Sequence, residues 1–329
     1  MDILGDFSLE LTRWLQDNYP QLEPIFRTIT QAGQFEFYLV VITITYWCIH
    51  KQLGRAMSYL VAFAAVLNTV IKHFFRDQRP FWGDPSLALV NEESYGIPSG
   101  HAQFATVFYG LLAIFIRRGW AWLLAAIIII LMAASRVYLG VHDIEDVVAG
   151  ILIGLIILLG YALWNRYLVA RYNNRILGQR LMLAILAPLV LAIIYASGLL
   201  LFDAPDSPPT FDALVDTAEM RSWEDSSTAL GLFFGFSIGF VMEMSRVRFM
   251  VDGSLGRRAL RYLVGIAGTL VVWKGLGALV PEEPLALVVP LNILLYGLVA
   301  LWVSYYAPWV FVRLKLADAR PEPEVSLSI

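Results

Sequence analysis

Three short polar clusters interrupt an apolar stretch between Lys72 and Asp146. The first is Lys72-x6-Arg79-Pro80, the second Pro98-Ser99-Gly100-His101, and the third Ser135-Arg136-x5-His142-x3-Asp146. Their residue types suit one kind of chemistry, the handling of a tetrahedral oxyanion. Lys72, Arg79 and Arg136 bring positive charge, and the guanidinium groups offer planar paired donors that match phosphoryl oxygens. Ser99 adds a hydroxyl donor, and Gly100 lets the backbone come close to a ligand. A helix starting there points free N–H groups and a positive dipole end at an anion. His142 and Asp146 are four residues apart, so on a helix they share a face. A carboxylate bonded to one imidazole nitrogen fixes the tautomer and leaves the other nitrogen free as a nucleophile. His101 is then available to protonate a leaving oxygen.

Each cluster taken alone also has a bland reading. His142 with Asp146 is equally a capping network at a helix start. Pro98-Ser99-Gly100 is equally a turn beside an interfacial histidine, and the cations equally snorkel to a membrane surface. Charges set among membrane-length apolar segments are costly, and this marks them as functional candidates.

The elements that carry these clusters follow from composition. Of 329 residues, 58% are hydrophobic and 16% charged, with mean hydropathy +0.65. Soluble domains carry about 25% charged residues, so the expected class is an all-α polytopic membrane bundle. The net charge of -3 says little about partners. The single cysteine, Cys48, excludes an intramolecular disulfide and any multi-cysteine metal site. The N-terminus lacks the basic and apolar regions of a cleavable signal peptide, and no Asn-x-Ser/Thr sequon occurs. The absence of a sequon leans towards a bacterial inner membrane.

Residues 8–30 show an intermittent apolar face (Leu9, Leu11, Trp14, Leu15, Ile25, Phe26) opposite Arg13, Asp17 and Glu23. This suits a helix lying on the membrane surface. Nine membrane-length segments follow, roughly 35–50, 56–75, 101–117, 119–135, 143–164, 180–202, 228–244, 261–280 and 286–312, each near the ~20 residues of a helical span. With nine spans, 16 of the 24 basic residues fall on one side, while the acidic stretch Asp203 to Asp225 falls on the other as a solvated lid. By the positive-inside rule the basic side is cytoplasmic, the N-terminus is outside and the C-terminus inside. All three clusters then lie on the extracytoplasmic side. The expected division is an interfacial segment at 1–34, a catalytic helical core at 35–170, a four-span unit at 171–312 and a cytoplasmic tail at 313–329. Gly231-x3-Gly235-x3-Gly239 and Gly150-x3-Gly154 are small-residue stripes that let helices approach closely within the bundle.

Together the clusters are far more specific than any one alone. Lys72-His-Phe-Phe-Arg-Asp-Gln-Arg79-Pro80, Pro98-Ser-Gly-His101 and Ser135-Arg-Val-Tyr-Leu-Gly-Val-His142-Asp-Ile-Glu-Asp146 resemble, without departure at a signature position, the three-part signature of the type 2 phosphatidic acid phosphatase superfamily. The resemblance covers about residues 30–165. It implies hydrolysis of phosphomonoesters or pyrophosphates through a phosphohistidine, with no metal and no cofactor. On that basis His142 is the nucleophile, Asp146 orients it and His101 is the general acid. Lys72, Arg79, Ser99, Gly100 and Arg136 hold the phosphoryl oxygens. The layout is similar to glucose-6-phosphatases and sphingosine-1-phosphate phosphatases, and Asp146 fits the lipid phosphatases better. The expected partners are the lipid bilayer and a lipid-phosphate substrate, not nucleic acid. Alternatives are a sugar-phosphate phosphatase, a lipid phosphotransferase and a non-catalytic phosphate-binding transporter. Outside the signature, His73 reads as structural, Asp143 and Glu145 as solvated charge, and Trp82 and Tyr95 as entrance residues or interfacial aromatics.

Overall fold

The computed structural model describes residues 3–201 and 208–321, and among them the regular structure is helical, without strands. This is what an apolar solvent requires, because a helix satisfies its backbone polar groups internally. The chain opens with α1 (Ile3–Asn18) and α2 (Glu23–Gln31). Next come α3 (Phe35–Ile44), α4 (Lys51–Phe75), the short α5 (Pro80–Gly83), α6 (Gly100–Ile116), α7 (Gly119–Tyr138) and α8 (Ile144–Leu163). They are followed by the short α9 (Val169–Asn173), α10 (Leu177–Leu201), α11 (Asp212–Met242), α12 (Leu255–Leu270), α13 (Leu285–Leu301) and α14 (Ala307–Arg313).

All nine segments read from the sequence fall on helices. Six stretches among the described residues are long and apolar enough to cross a membrane: Lys51–Gly83, Gly119–Tyr138, Ile144–Asn173, Leu177–Leu201, Pro209–Val247 and Leu285–Arg313. A seventh arises if Pro20–Gln31 and Phe35–Ile49, bent by 47°, form one span. The difference from nine has physical causes. α6 has only 17 residues, and α12 opens on Arg257, Arg258 and Arg261. The acidic stretch also differs from expectation. Its acidity reads as a loop up to Asp225, but α11 begins at Asp212. No Gly or Pro interrupts 212–230, and Asp212 occupies the first turn, where the helix dipole favours an acid. Residues 203–207 of the supposed lid lie outside the described residues.

Two compact units interleave along the chain, whereas the sequence reading divides it into consecutive stretches. One comprises the described residues within 1–38, 64–159 and 198–223; the other comprises those within 39–63, 160–197 and 224–329. In the second unit, Tyr46, Trp47, Phe240, Phe249 and Phe311 form a buried aromatic core. Tyr46 Oη donates to the Ser304 carbonyl and Trp47 Nε1 to that of Val303, each at 3.0 Å. Gly231 lets α11 meet α13 closely, since a Cβ there would lie 2.6 Å from the Ile293 carbonyl oxygen.

In the first unit, α1 and α2 pack on α7 through polar as well as apolar groups. Thr12 Oγ1 donates to the Val137 carbonyl at 3.1 Å, and Gln16 Nε2 to those of Tyr138 at 2.8 Å and Leu87 at 3.0 Å. Leu15, Leu22 and Phe26 cover Tyr138, Leu139 and Val141. α8 presses against α6 at two glycines. A Cβ at Gly150 would lie 2.5 Å from the Ser99 carbonyl oxygen, and one at Gly154 would lie 2.6 Å from Thr106 Cβ. This approach brings the start of α6 beside the start of α8.

Candidate active site

Every residue of the three clusters lies in the first unit, and most lie at helix ends. Lys72 is in the last turn of α4 and Arg136 in the last turn of α7. Arg79 immediately precedes α5, and Ser99 immediately precedes Gly100 and His101 at the start of α6. Asp146 is in the first turn of α8, and His142 is in the turn before it. Lys72, Arg79, Ser99, Arg136, His142 and Asp146 are buried. Helix ends are where side chains from several elements converge without breaking backbone hydrogen bonds.

His142 is not helical, so the shared-face argument for the pair needs correcting. The two groups meet because Asp146 reaches back over the helix start. Its Oδ2 lies 2.8 Å from His142 Nδ1 and also accepts from the Asp143 backbone N–H at 3.2 Å. The second contact is half of a capping box. One oxygen therefore caps the helix and contacts the imidazole, a geometry compatible with both the capping and the orienting reading. The sharp turn needs Gly140, whose φ is +71° and whose Cβ position is filled by the Leu87 carbonyl. His142 Nε2 is left 3.3 Å from Arg79 Nη1. Burial pushes the His142 imidazole well below its ordinary value, and the positive charges of Arg79, Lys72, Arg136 and His101 act in the same direction.

A single loop strings the three cations together. Lys72 Nζ donates to the carbonyls of Tyr95 and, at 2.8 Å, Gly96. Arg79 donates to the carbonyl and hydroxyl of Ser94, the latter at 2.9 Å, and to the Val141 carbonyl at 2.5 Å. Arg136 donates to Thr30 Oγ1 at 2.6 Å and pairs with Glu92, whose other oxygen is 3.6 Å from Arg79 Nη2. Burial alone would raise the Glu92 carboxyl, but Arg79, Arg136, His101 and Lys72 hold it down to about 2. Glu92 is thus an anion resting on two of the cations expected to bind phosphate.

Two polar atoms at the start of α6 stand apart. Ser99 Oγ and His101 Nε2 are buried and make no hydrogen bond among the described residues. Ser99 precedes the helix, yet its hydroxyl does not cap it. A buried polar atom left this way costs about 1–3 kcal/mol, which an oxyanion accepting from both would relieve. Their positions are fixed from behind. The Ser99 backbone N–H donates to the Asp146 carbonyl at 2.9 Å, pinning the second cluster to the third. Asn68 Nδ2 donates to the Pro98 carbonyl at 3.2 Å and to Gln103 Oε1 at 2.8 Å. The His101 ring lies against Gly33 so closely that no Cβ fits there.

Glu92, Thr30, Asn68 and Glu219, which is described below, were not legible as site residues, because no spacing ties them to the signature. Trp82 and Tyr95 are buried in a cluster with Ala218, not exposed at an entrance. Asp143 is not solvated either: burial raises its carboxyl to about 6 despite a hydrogen bond from Ser8. Among the described residues, no three or more His, Cys, Asp or Glu side chains gather as a metal site.

This arrangement can be set beside known proteins. Residues 54–170 match the PAP2 superfamily, and residues 227–319 match the PAP2 superfamily phosphatase, transmembrane extension. Phosphatidylglycerophosphatase B of Bacillus subtilis (strain 168) is 30% identical over 151 residues, which is 42% of this chain and 72% of that protein. The chain belongs to the PAP2 superfamily. Sphingosine-1-phosphate phosphatase 2 of Homo sapiens is 29% identical over 151 residues, covering 43% of this chain but only 37% of that protein. A crystal structure of a transmembrane PAP2-type phosphatidylglycerolphosphate phosphatase from Bacillus subtilis aligns with 51% of this chain and 89% of its own, at a TM-score of 0.46 and 24% identity. The transmembrane extension begins after the stretch of α11 that belongs to that unit.

Proposed function

We propose that this protein is a membrane-integral phosphatase that hydrolyses lipid phosphomonoesters or lipid pyrophosphates at the extracytoplasmic face through a phosphohistidine. The observation that carries this reading is the His142–Asp146 contact at 2.8 Å with Nε2 turned to Arg79. A phosphate seated on Arg79, Arg136 and Lys72 would present phosphorus to that nitrogen. The Nε2 lone pair attacks phosphorus and the bond to the leaving oxygen breaks, with His101 giving that oxygen its proton. Water then attacks the phosphohistidine and gives its proton to His101, the N–P bond breaks, and inorganic phosphate leaves. Phosphoryl transfer needs in-line positioning and neutralised equatorial charge. Three cations, Ser99 Oγ and the start of α6 would supply both, which makes a metal-independent route sufficient.

Relatives named as a phosphatidylglycerophosphatase and a sphingosine-1-phosphate phosphatase support a lipid substrate. The membrane setting is supported by the outward face of α8, where Leu152, Leu155, Ile156 and Leu159 are exposed as a lipid solvent would require. Nine spans rest on the lengths of the apolar segments, the bacterial inner membrane on the absence of a glycosylation sequon, and the outside site on the distribution of basic residues over those spans. The test is phosphate release in detergent, with chelator present, from lysophosphatidate, phosphatidate, sphingoid phosphate, undecaprenyl pyrophosphate and glucose 6-phosphate. Release from the lipids and not from glucose 6-phosphate is expected. Complete loss in chelator, restored by added metal, overturns metal independence.

A further inference from the structure

Glu219 lies on α11, outside both stretches that match the superfamily, 54–170 and 227–319. Its carboxylate gathers three side chains. His73 Nε2 is 2.6 Å away, Arg76 donates through Nε at 3.1 Å and Nη2 at 3.3 Å, and Tyr95 Oη donates at 3.2 Å. His73 and Arg76 bracket the end of α4 that carries Lys72. Tyr95 belongs to the loop whose carbonyls receive Lys72 Nζ, and Ser94, its neighbour, receives Arg79. One carboxylate thus ties the helix that carries a phosphate-binding cation to the loop that aims two of them. Apolar packing supports the same junction, with Phe211, Val215 and Ala218 packed against Phe81, Trp82 and Tyr95. His73 also stacks edge-on against Trp223, ring centres 5.1 Å apart.

We propose that Glu219 is a positioning residue for the phosphate cradle. It touches no reacting atom and acts through Tyr95. A lysine ammonium is a point charge on a flexible stem, so the place of Lys72 Nζ depends on the Tyr95 and Gly96 carbonyls that hold it. Releasing Tyr95 from Glu219 frees that segment, and Lys72 and Arg79 lose their common register. This inference rests on the reading of Lys72, Arg79 and Arg136 as the phosphate cradle. A purely structural role, joining α11 to α4, would lower stability and leave the anion affinity of the folded protein unchanged.

The test uses the full chain in detergent and measures inhibition constants for inorganic phosphate and orthovanadate, KM, kcat and melting temperature. Glu219→Gln is expected to raise both inhibition constants and KM about tenfold, a modest share of the roughly hundredfold loss that an ångström of misplacement can cause. Glu219→Asp restores most of the affinity. Tyr95→Phe keeps the backbone carbonyl, removes only the hydroxyl, and is expected to raise the constants about threefold, less than additively with Glu219→Gln. Should Glu219→Gln fail to fold, Tyr95→Phe decides. Unchanged inhibition constants in both variants overturn the proposal, whatever happens to the melting temperature. Lys72→Ala separates the two readings: if it too leaves the constants unchanged, the cradle itself is wrong and this inference falls with it. If Lys72→Ala raises them and the Glu219 and Tyr95 variants do not, only the positioning role fails.

Discussion

His142 can attack phosphorus only while its Nε2 carries no proton. Burial, and after it the charges of Arg79, Lys72 and Arg136, push its imidazole well below the ordinary value, so it is neutral through the physiological range. The sign follows directly. Activity is retained as pH falls through 6.5, and the acid limb of kcat/KM that reports His142 lies well below it. Replacing Arg79 with Gln removes one of those charges and should move the limb upward; a pH profile checks it. His142→Ala should cost at least about 10³-fold in kcat, as for other covalent nucleophiles, and residual phosphate release near wild type would sink the phosphohistidine. Glu92 makes an opposite prediction for two observables. Its carboxylate sits on Arg79 and Arg136, so an incoming phosphate must displace it. Glu92→Gln should tighten inorganic phosphate about tenfold, or ~1.4 kcal/mol. It should also lower the melting temperature, because two buried guanidiniums lose a charged partner. Weaker phosphate binding in the variant would show that Glu92 does not compete for the cradle.

The site depends on how closely α8 approaches α6. Gly150 has the Ser99 carbonyl 2.5 Å from where its Cβ would sit, whereas Gly160, further along the same helix, has nothing within 4 Å. Gly150→Val should therefore destabilise by more than about 1–3 kcal/mol, since the obstacle is backbone, and should reduce activity by separating Ser99 and His101 from His142. Gly160→Ala should be neutral, or stabilising by up to about 1 kcal/mol from helix propensity. Thermal melts of the pair check the contrast, and equal effects would contradict this packing. α1 and α2 belong to the same account. Ser8 Oγ accepts from the Ile144 backbone N–H at 3.1 Å, and Thr30 Oγ1 accepts from Arg136. The sequence showed their apolar stripe. It gave no sign that Ser8 would hold the first residue of α8 and Thr30 the Arg136 guanidinium, because side-chain bonds between residues more than 100 apart leave no periodic trace.

At the scale of the whole chain, the proposed orientation rests on the basic residues. Sixteen of 24 fall on one side when nine spans are counted, and on that count the loop between α4 and α6 is proposed to face outside. Ser86 in that loop is exposed. In a Cys48→Ala background, a cysteine replacing Ser86 should react with a membrane-impermeant thiol reagent added to intact cells. Reaction only after the membrane is opened would reverse the topology. The span count depends on α6 and α12, which are too short or too charged to qualify by length and composition.

The sequence by itself determined the helical membrane class and the three clusters on which the proposed chemistry rests. Composition forces the first, and residue types and spacing mark the second. Helix ends were also close to legible, since Pro98-Ser99-Gly100 and the cations marked them. Only the tertiary structure decided which groups meet. It showed that His142 lies off the helix and is held by a carboxylate that also caps α8. It showed Glu92 on Arg79 and Arg136 and Glu219 bonded to Tyr95, in the loop that receives Lys72 and Arg79. Several of those contacts, Glu92 with Arg136 and Glu219 with His73 and Tyr95 among them, join helices and loops far apart in the chain, and their register is set by glycine-to-backbone contacts and buried carbonyls rather than by any local preference. Spacing along a chain records which residues share an element; it does not record which elements touch.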